Sequence, residues 1–105
     1  MRLHGMDLDS LEMRRFRRRW AIAELAVFGS VLRDDFRPES DIDLLVTFTP
    51  EAEWDLLDLL RMQDDAAAIL GRPVDLVSRA GLEQSSNAIV RREVLGTSRV
   101  VYAQQ

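Results

Sequence analysis

The sequence predicts an α/β domain of the α+β kind, a small mixed β-sheet with helices packed on one side, and three observations carry that reading. Two short apolar stretches, one ending at Phe28 and one from Ile42 to Phe48, flank a polar segment that contains Gly29, Pro38 and Ser40. A third, Val74 to Val77, follows Gly71 and Pro73. Between the second and third lies a long segment with leucines and alanines at helical spacing.

Taken along the chain, Asp9 with Glu12 is placed to begin a first helix in a capping-box-like arrangement. Met13 to Trp20 reads MRRFRRRW; as a helix it sets Met13, Phe16 and Trp20 in one apolar stripe and spreads its five arginines over the remaining circumference. Such a helix packs on the sheet with a solvated outer face, or else offers a surface to an acidic partner or RNA. Leu25, Val27 and Phe28 describe a buried strand entering a turn at Gly29. A helix over Val31 to Asp35 is expected next, ended by Pro38, with Glu39 and Ser40 leading into the strand Ile42 to Phe48. Thr49 and Pro50 suit a cap and first helical position, so a helix should run from about Ala52 to Leu70. Its stripe of Leu56, Leu59, Leu60, Ala66, Ala67 and Leu70 would face the core, with Asp55, Asp58, Arg61, Asp64 and Asp65 outward. Gly71 terminates it and Pro73 prevents continuation. Gly81 to Glu93 carries only a weak helical pattern, through Leu82, Ile89, Val90 and Val94, and Val100 to Tyr102 suggests a last strand.

The chemistry concentrates in Gly29-Ser30, ten residues, then Asp41-Ile42-Asp43. Glycine permits unusual dihedrals and a close approach of phosphate oxygens to backbone N–H groups, and Ser30 adds a hydroxyl donor. A helix opening just after it would aim unpaired N–H groups and the positive dipole end at a triphosphate. In a strand alternate residues share a face, so Asp41 and Asp43 project together while Ile42 and Leu44 enter the core. Two carboxylates so close repel unless a cation lies between them, and hard oxygen ligands completed by substrate phosphates suit Mg²⁺. Asp75 supplies a third carboxylate within Val74-Asp75-Leu76-Val77, where a charge in a buried strand is costly unless paired or metal-bound. Three aspartates on neighbouring strands are what two-metal nucleotidyl transfer requires.

Residues Val27 to Val46, VFGSVLRDDFRPESDIDLLV, resemble the signature of the DNA polymerase beta-like nucleotidyltransferase superfamily, most closely its minimal nucleotidyltransferase branch. The resemblance covers about Trp20 to Ser78 and implies the nucleotidyltransferase fold. It further implies that Asp41 and Asp43 bind two Mg²⁺ ions, that Asp75 holds the catalytic ion and orients or deprotonates the nucleophile, and that Gly29, Ser30 and Arg33 bind ATP. Arg33 lies where the family often has Arg, suited to grip phosphate bidentately; the alternative is a surface charge paired with Asp34 or Asp35. Arg37 reads as a surface charge. Leu32 and Asp34 depart from the small residue and glycine common in the family. Small members of the branch commonly act as the antitoxin of a HEPN-domain ribonuclease. The resemblance therefore implies a type VII toxin–antitoxin system in which AMP passes from ATP to a hydroxyl, on a tyrosine, of the toxin. A binding module that inhibits its partner by occlusion, and a subunit that modifies RNA or a small molecule, are the alternatives.

Composition narrows the choice. The 105 residues, 47% hydrophobic, read as one domain over 1–105, with little room for a separate acceptor-binding domain. A net charge of −4 argues against an extended nucleic-acid surface. All 14 positive side chains are arginine, which looks like codon bias rather than chemistry. No cysteine is present, so thiolate metal sites and disulfides are excluded. No signal core or membrane-length apolar run occurs, so a cytoplasmic protein is expected. His4, near an end expected to be mobile, has no catalytic role in this reading, and Tyr102 is a packing residue.

Overall fold

A computed structural model describes residues 2–104. The chain begins with a small hairpin, β1 (Arg2–Leu3) and β2 (Met6–Asp7), followed by α1 (Leu11–Arg19), β3 (Ile22–Phe28) and one 3₁₀ turn over Gly29–Leu32. Then come β4 (Ile42–Phe48), α2 (Leu56–Leu70), β5 (Val74–Ser78), α3 (Arg79–Glu83), α4 (Ala88–Thr97) and β6 (Arg99–Ala103). The four longer strands form one mixed sheet in the order β5-β4-β3-β6, with β4 and β5 parallel and the other pairs antiparallel. A parallel pair needs a long connection, and α2 supplies it.

Strand alternation and helix periodicity meet in the main core. Leu25 and Val27 of β3, with Ile42, Leu44 and Val46 of β4, face Met13 and Phe16 of α1 and Met62 and Ala66 of α2. Ile22 breaks the alternation but still joins this core, because the β3–β4 register slips between Ile22 and Glu24. A bulge there returns Ile22 to the apolar side. The main core therefore lies on the expected side, and a smaller cluster covers part of the other. Ala26 and Leu45 meet Leu82 of α3, with Val94 and Leu95 of α4 packed alongside.

Local chemistry moves several boundaries. Ser10, not Asp9, caps α1: its Oγ accepts the Met13 N–H at 3.1 Å, while Asp9 pairs with Arg14 and Arg17 instead. The arginines do not all stay on the solvent face. Arg17 is buried, its guanidinium 3.8 Å from the Tyr102 ring centre, so Tyr102 packs as expected and also receives a cation. Helix α2 starts at Leu56 rather than near Ala52, because Asp55 and Asp58 form a reciprocal capping box. Before it the chain turns, with the Ala52 N–H donating to the Thr49 carbonyl, and Trp54 Nε1 donates to the Trp20 carbonyl at 2.9 Å. The apolar stripe is rephased as well: Met62 and Ala66 are buried, whereas Leu56 and Leu60 are exposed. Asp65 does not simply face water, since its Oδ2 accepts from Arg19 and from Trp20 Nε1. Gly71 closes the helix in a left-handed conformation, φ 71°.

Candidate active site

The site forms where β3 ends and β4 and β5 begin. Phe28 and Asp43 are register partners across the antiparallel pair, which sets the residue after Phe28 against the Asp43 side chain. That residue is Gly29, at φ 75°, and a Cβ added to it would overlap Asp43 Oδ2 and lie 3.3 Å from Asp43 Cγ. Glycine is required here twice, for the left-handed backbone and for the space. The expected helix after the turn contracts to the single 3₁₀ turn Gly29–Leu32, whose capping N–H, from Arg33, donates to the Ser30 carbonyl at 3.0 Å. A turn this short contributes little macrodipole, which leaves local N–H groups and the half-buried Ser30 as the donors an anion would meet here.

Asp43 and Asp75 are register partners in the parallel β4–β5 pair, and Asp41 immediately precedes β4. Asp43 is half-buried, and that burial pushes its carboxyl above the ordinary carboxylate range. The charges of Asp75 and then Asp41 push in the same direction, so the three groups form one electrostatic unit. Asp75 itself is exposed: β5 is an edge strand, and the burial penalty expected for a charge in a buried strand does not apply. Among the described residues no three acidic, histidine or cysteine side chains are placed to hold a metal ion by themselves. The register pair Asp43 and Asp75, with Asp41 two residues before Asp43, is instead an open, all-oxygen donor set that substrate phosphates would have to complete. Such a donor set fits Mg²⁺, which retains open positions for substrate phosphates, and the raised Asp43 carboxyl marks where a cation would relieve repulsion.

Arg33 lies just past the turn with its side chain exposed, its Nε 3.4 Å from Asp35 Oδ1. Both partners of that pair are more than two-thirds exposed, so the contact restrains the guanidinium only weakly. The Arg37 carbonyl accepts from Arg72 Nη1 at 3.2 Å, and the Arg72 guanidinium stacks over Phe36 at 4.6 Å.

Three contributors were not evident from the sequence. Gln63 of α2 accepts the Leu76 N–H at 3.0 Å, fixing the edge strand one residue beyond Asp75. His4 does not sit on a free end: its ring is 4.7 Å from that of Phe36, and its Nε2 donates to the Val31 carbonyl at 2.8 Å, tying the hairpin to the turn. A carbonyl only accepts, so Nε2 carries the proton. Finally, Val90, Glu93, Val94 and Thr97 of α4 line an open cavity of about 160 Å³ with Phe28 and Gly29, flanking the turn. The side-chain amide of Gln63 and the imidazole of His4 are ordinary residues in the sequence, with no spacing that reveals their targets.

A family profile described as nucleotidyltransferase domain matches residues 13–95. A protein adenylyltransferase, MntA, of Thermococcus cleftensis is 37% identical over 79 residues, 75% of this chain and 78% of the relative. A solved structure proposed to be a minimal nucleotidyltransferase superposes with a TM-score of 0.62 at 35% identity, over 91% of this chain and 97% of that one. A chain of a toxin–antitoxin crystal structure with AMP-PNP superposes with a TM-score of 0.69 over 90% of this chain and 73% of that one; at 21% identity this likeness concerns the fold.

Proposed function

Because this chain belongs to the nucleotidyltransferase domain family, we propose that it is a Mg²⁺-dependent protein adenylyltransferase, the antitoxin of a type VII toxin–antitoxin system, acting on a HEPN ribonuclease. One observation carries the reading most directly. Asp43 is at once packed against the Gly29 turn and in register with Asp75, so a glycine turn open to close approach and two carboxylates share one small volume. The relative from Thermococcus cleftensis, named as a protein adenylyltransferase, supports the choice of a protein acceptor.

In this reading the triphosphate of ATP lies along Gly29 and Ser30, with Arg33 free to swing from Asp35 toward its outer oxygens. Asp41, Asp43 and Asp75 would hold two Mg²⁺ ions, which when bound supply positive charge against the developing phosphorane and lower the pKa of the acceptor hydroxyl. Asp75, exposed on the edge strand, orients that hydroxyl and accepts its proton. The acceptor oxygen forms a bond to the α-phosphorus, the bond from that phosphorus to its β-bridging oxygen breaks, and pyrophosphate leaves with the electron pair. AMP remains on the acceptor, a tyrosine of the partner. The open face of the site leaves an approach for a side chain presented by another protein, and the whole chain acts as one domain. Dependence on ATP fits a cytoplasmic setting; among the described residues no helix is long and apolar enough to cross a membrane.

Mass spectrometry of the HEPN partner after incubation with this protein, ATP and Mg²⁺ tests the proposal. One or more adenylyl groups on a partner tyrosine are expected, and a partner that stays unmodified overturns it.

A further inference from the structure

The Arg-rich helix has a consequence outside the aspartate site. At the opposite end of the sheet, where β3 begins and β4 and β6 finish, a cavity of about 390 Å³ is lined by Arg14, Arg17 and Arg18 of α1 together with Thr49, Tyr102 and Gln104. We infer that this cavity is a second binding site, for the phosphate group of a small phosphorylated molecule.

Charge is the first ground. Arg14 and Arg17 share a single carboxylate, Asp9, at 2.9 and 3.0 Å, and the hydrogen bonds from Arg14 and then Arg17 hold the Asp9 carboxyl at about 2. Asp9 is therefore ionised at neutral pH and offsets one of three guanidinium charges, with the charge of Asp7 acting on Arg14 as a weaker addition. Arg18 makes no ion pair among the described residues.

Burial is the second. Arg17 is only 7% exposed, and a buried guanidinium is costly unless its charge and its five N–H donors are matched. Here it has one carboxylate oxygen and the Tyr102 ring, and Nη1 has no acceptor among the described residues. A tetrahedral oxyanion entering the cavity would meet Arg14 and Arg18 directly and offset the Arg17 charge from beside it, since Nη1 itself is shielded. The carbonyls of Phe16 and Arg18 near the end of α1 are taken by the N–H groups of Trp20 and Ala21, and the negative helix end, about half a charge, is smaller than the net guanidinium charge.

Size and surroundings define the ligand class. Thr49, Tyr102 and Gln104 add neutral hydrogen-bonding groups around the cationic wall. A volume near the lower end of the range for small-molecule pockets suits a mononucleotide-sized ligand. A net charge of −4 and a short cationic face disfavour an extended polynucleotide. The seven residues of β3 separate this cavity from Gly29 by about 20 Å, so one ligand does not fill both.

The test titrates the full chain with inorganic phosphate and, separately, with ADP, in EDTA so that no metal holds phosphate at the aspartates. Amide chemical shifts of Ala21, Thr49 and Gln104 should change saturably while those of Gly29 and Ser30 stay fixed. The double variant Arg14→Gln/Arg18→Gln, altered at two exposed positions, should weaken binding by at least about tenfold. Tighter binding of ADP than of phosphate identifies a nucleoside phosphate, and equal binding identifies a site for the phosphoryl group alone; either supports the inference. Shifts that do not saturate, that persist in the double variant, or that centre on Gly29 overturn it. Preference for a single-stranded oligoribonucleotide over both phosphates also overturns it, in favour of an RNA surface.

Discussion

The side-chain carbonyl of Gln63 accepts the backbone N–H of Leu76 at 3.0 Å, so α2 holds the edge strand at the residue that follows Asp75. Gln63→Met keeps the volume and removes the acceptor. Loss of this bond should cost about 1 kcal/mol in chemical denaturation. It should also lower kcat for adenylyl transfer with little change in the KM for ATP, because Asp75 loses its fixed position while Gly29 and Ser30 do not. A kcat equal to that of the wild type would limit Gln63 to a role in stability.

Asp43 gives a prediction with a definite sign. Its carboxyl titrates above the ordinary range in the folded state, so the native protein binds more protons than the unfolded chain between the two values. Its contribution to stability is fully present below pH 3.8 and is lost as pH rises through the raised value. In EDTA at neutral pH, Asp43→Asn should therefore melt at a higher temperature than wild type, and the difference should shrink on acidification. Mg²⁺ with ATP should stabilise wild type and leave the variant nearly unchanged. A variant that melts lower than wild type at neutral pH contradicts this account.

Gly29→Ala tests the contact from the other side. An L-residue in the left-handed region costs about 1–2 kcal/mol, and the added methyl also drives against Asp43 Oδ2. Expected are a lowered melting temperature and transfer reduced by more than about tenfold. Activity near that of the wild type would show that Asp43 need not remain beside the turn.

Much of this was legible in the sequence, and the exceptions share a cause. The strands around Gly29 and at Ile42 to Phe48 follow from apolar alternation, and the Asp41-Asp43 spacing from strand geometry. The Asp43–Asp75 register depends on a crossover that no local pattern encodes. The caps fall elsewhere because competing candidates lie within a few residues: Asp9 has the chemistry of a cap but is drawn to Arg14 and Arg17, and the Thr49-Pro50 pair yields to Asp55 with Asp58. The stripe of α2 shifted with its start, exchanging Leu56 and Leu60 for Met62. The partners of Gln63 and His4 are long-range, and only the folded chain reveals them.

Arg33 separates nucleotide grip from surface charge. Its pair with Asp35 is long and exposed, so Arg33→Ala should leave folding stability unchanged. If the guanidinium meets the triphosphate, ATP binding should weaken by about 1.5–3 kcal/mol, with partial rescue by Lys, which lacks the planar fork. Calorimetric titration with ATP measures both, and an unaltered Kd assigns Arg33 to the surface.

Asp75→Asn distinguishes catalysis from occlusion. The variant should bind ATP and the partner, because Asp41 and Asp43 remain, yet fail to activate the acceptor hydroxyl. If the partner is the proposed toxin, cells expressing it should then not be rescued. Rescue at comparable protein levels, with no AMP on the partner, would establish inhibition by binding alone.

The two outer strands of the sheet determine how this protein is able to associate. On one side, the Leu76 N–H of β5 is already consumed by Gln63. On the other, β6 is five residues long, begins with Arg99, and slips register between Leu25 and Ala26 of its neighbour. Short, charged or bulged borders are poor templates for strand addition. A partner chain would therefore gain little from extending the sheet, and helix surfaces and the loops around the carboxylates are where it would dock without disturbing the strands that hold them.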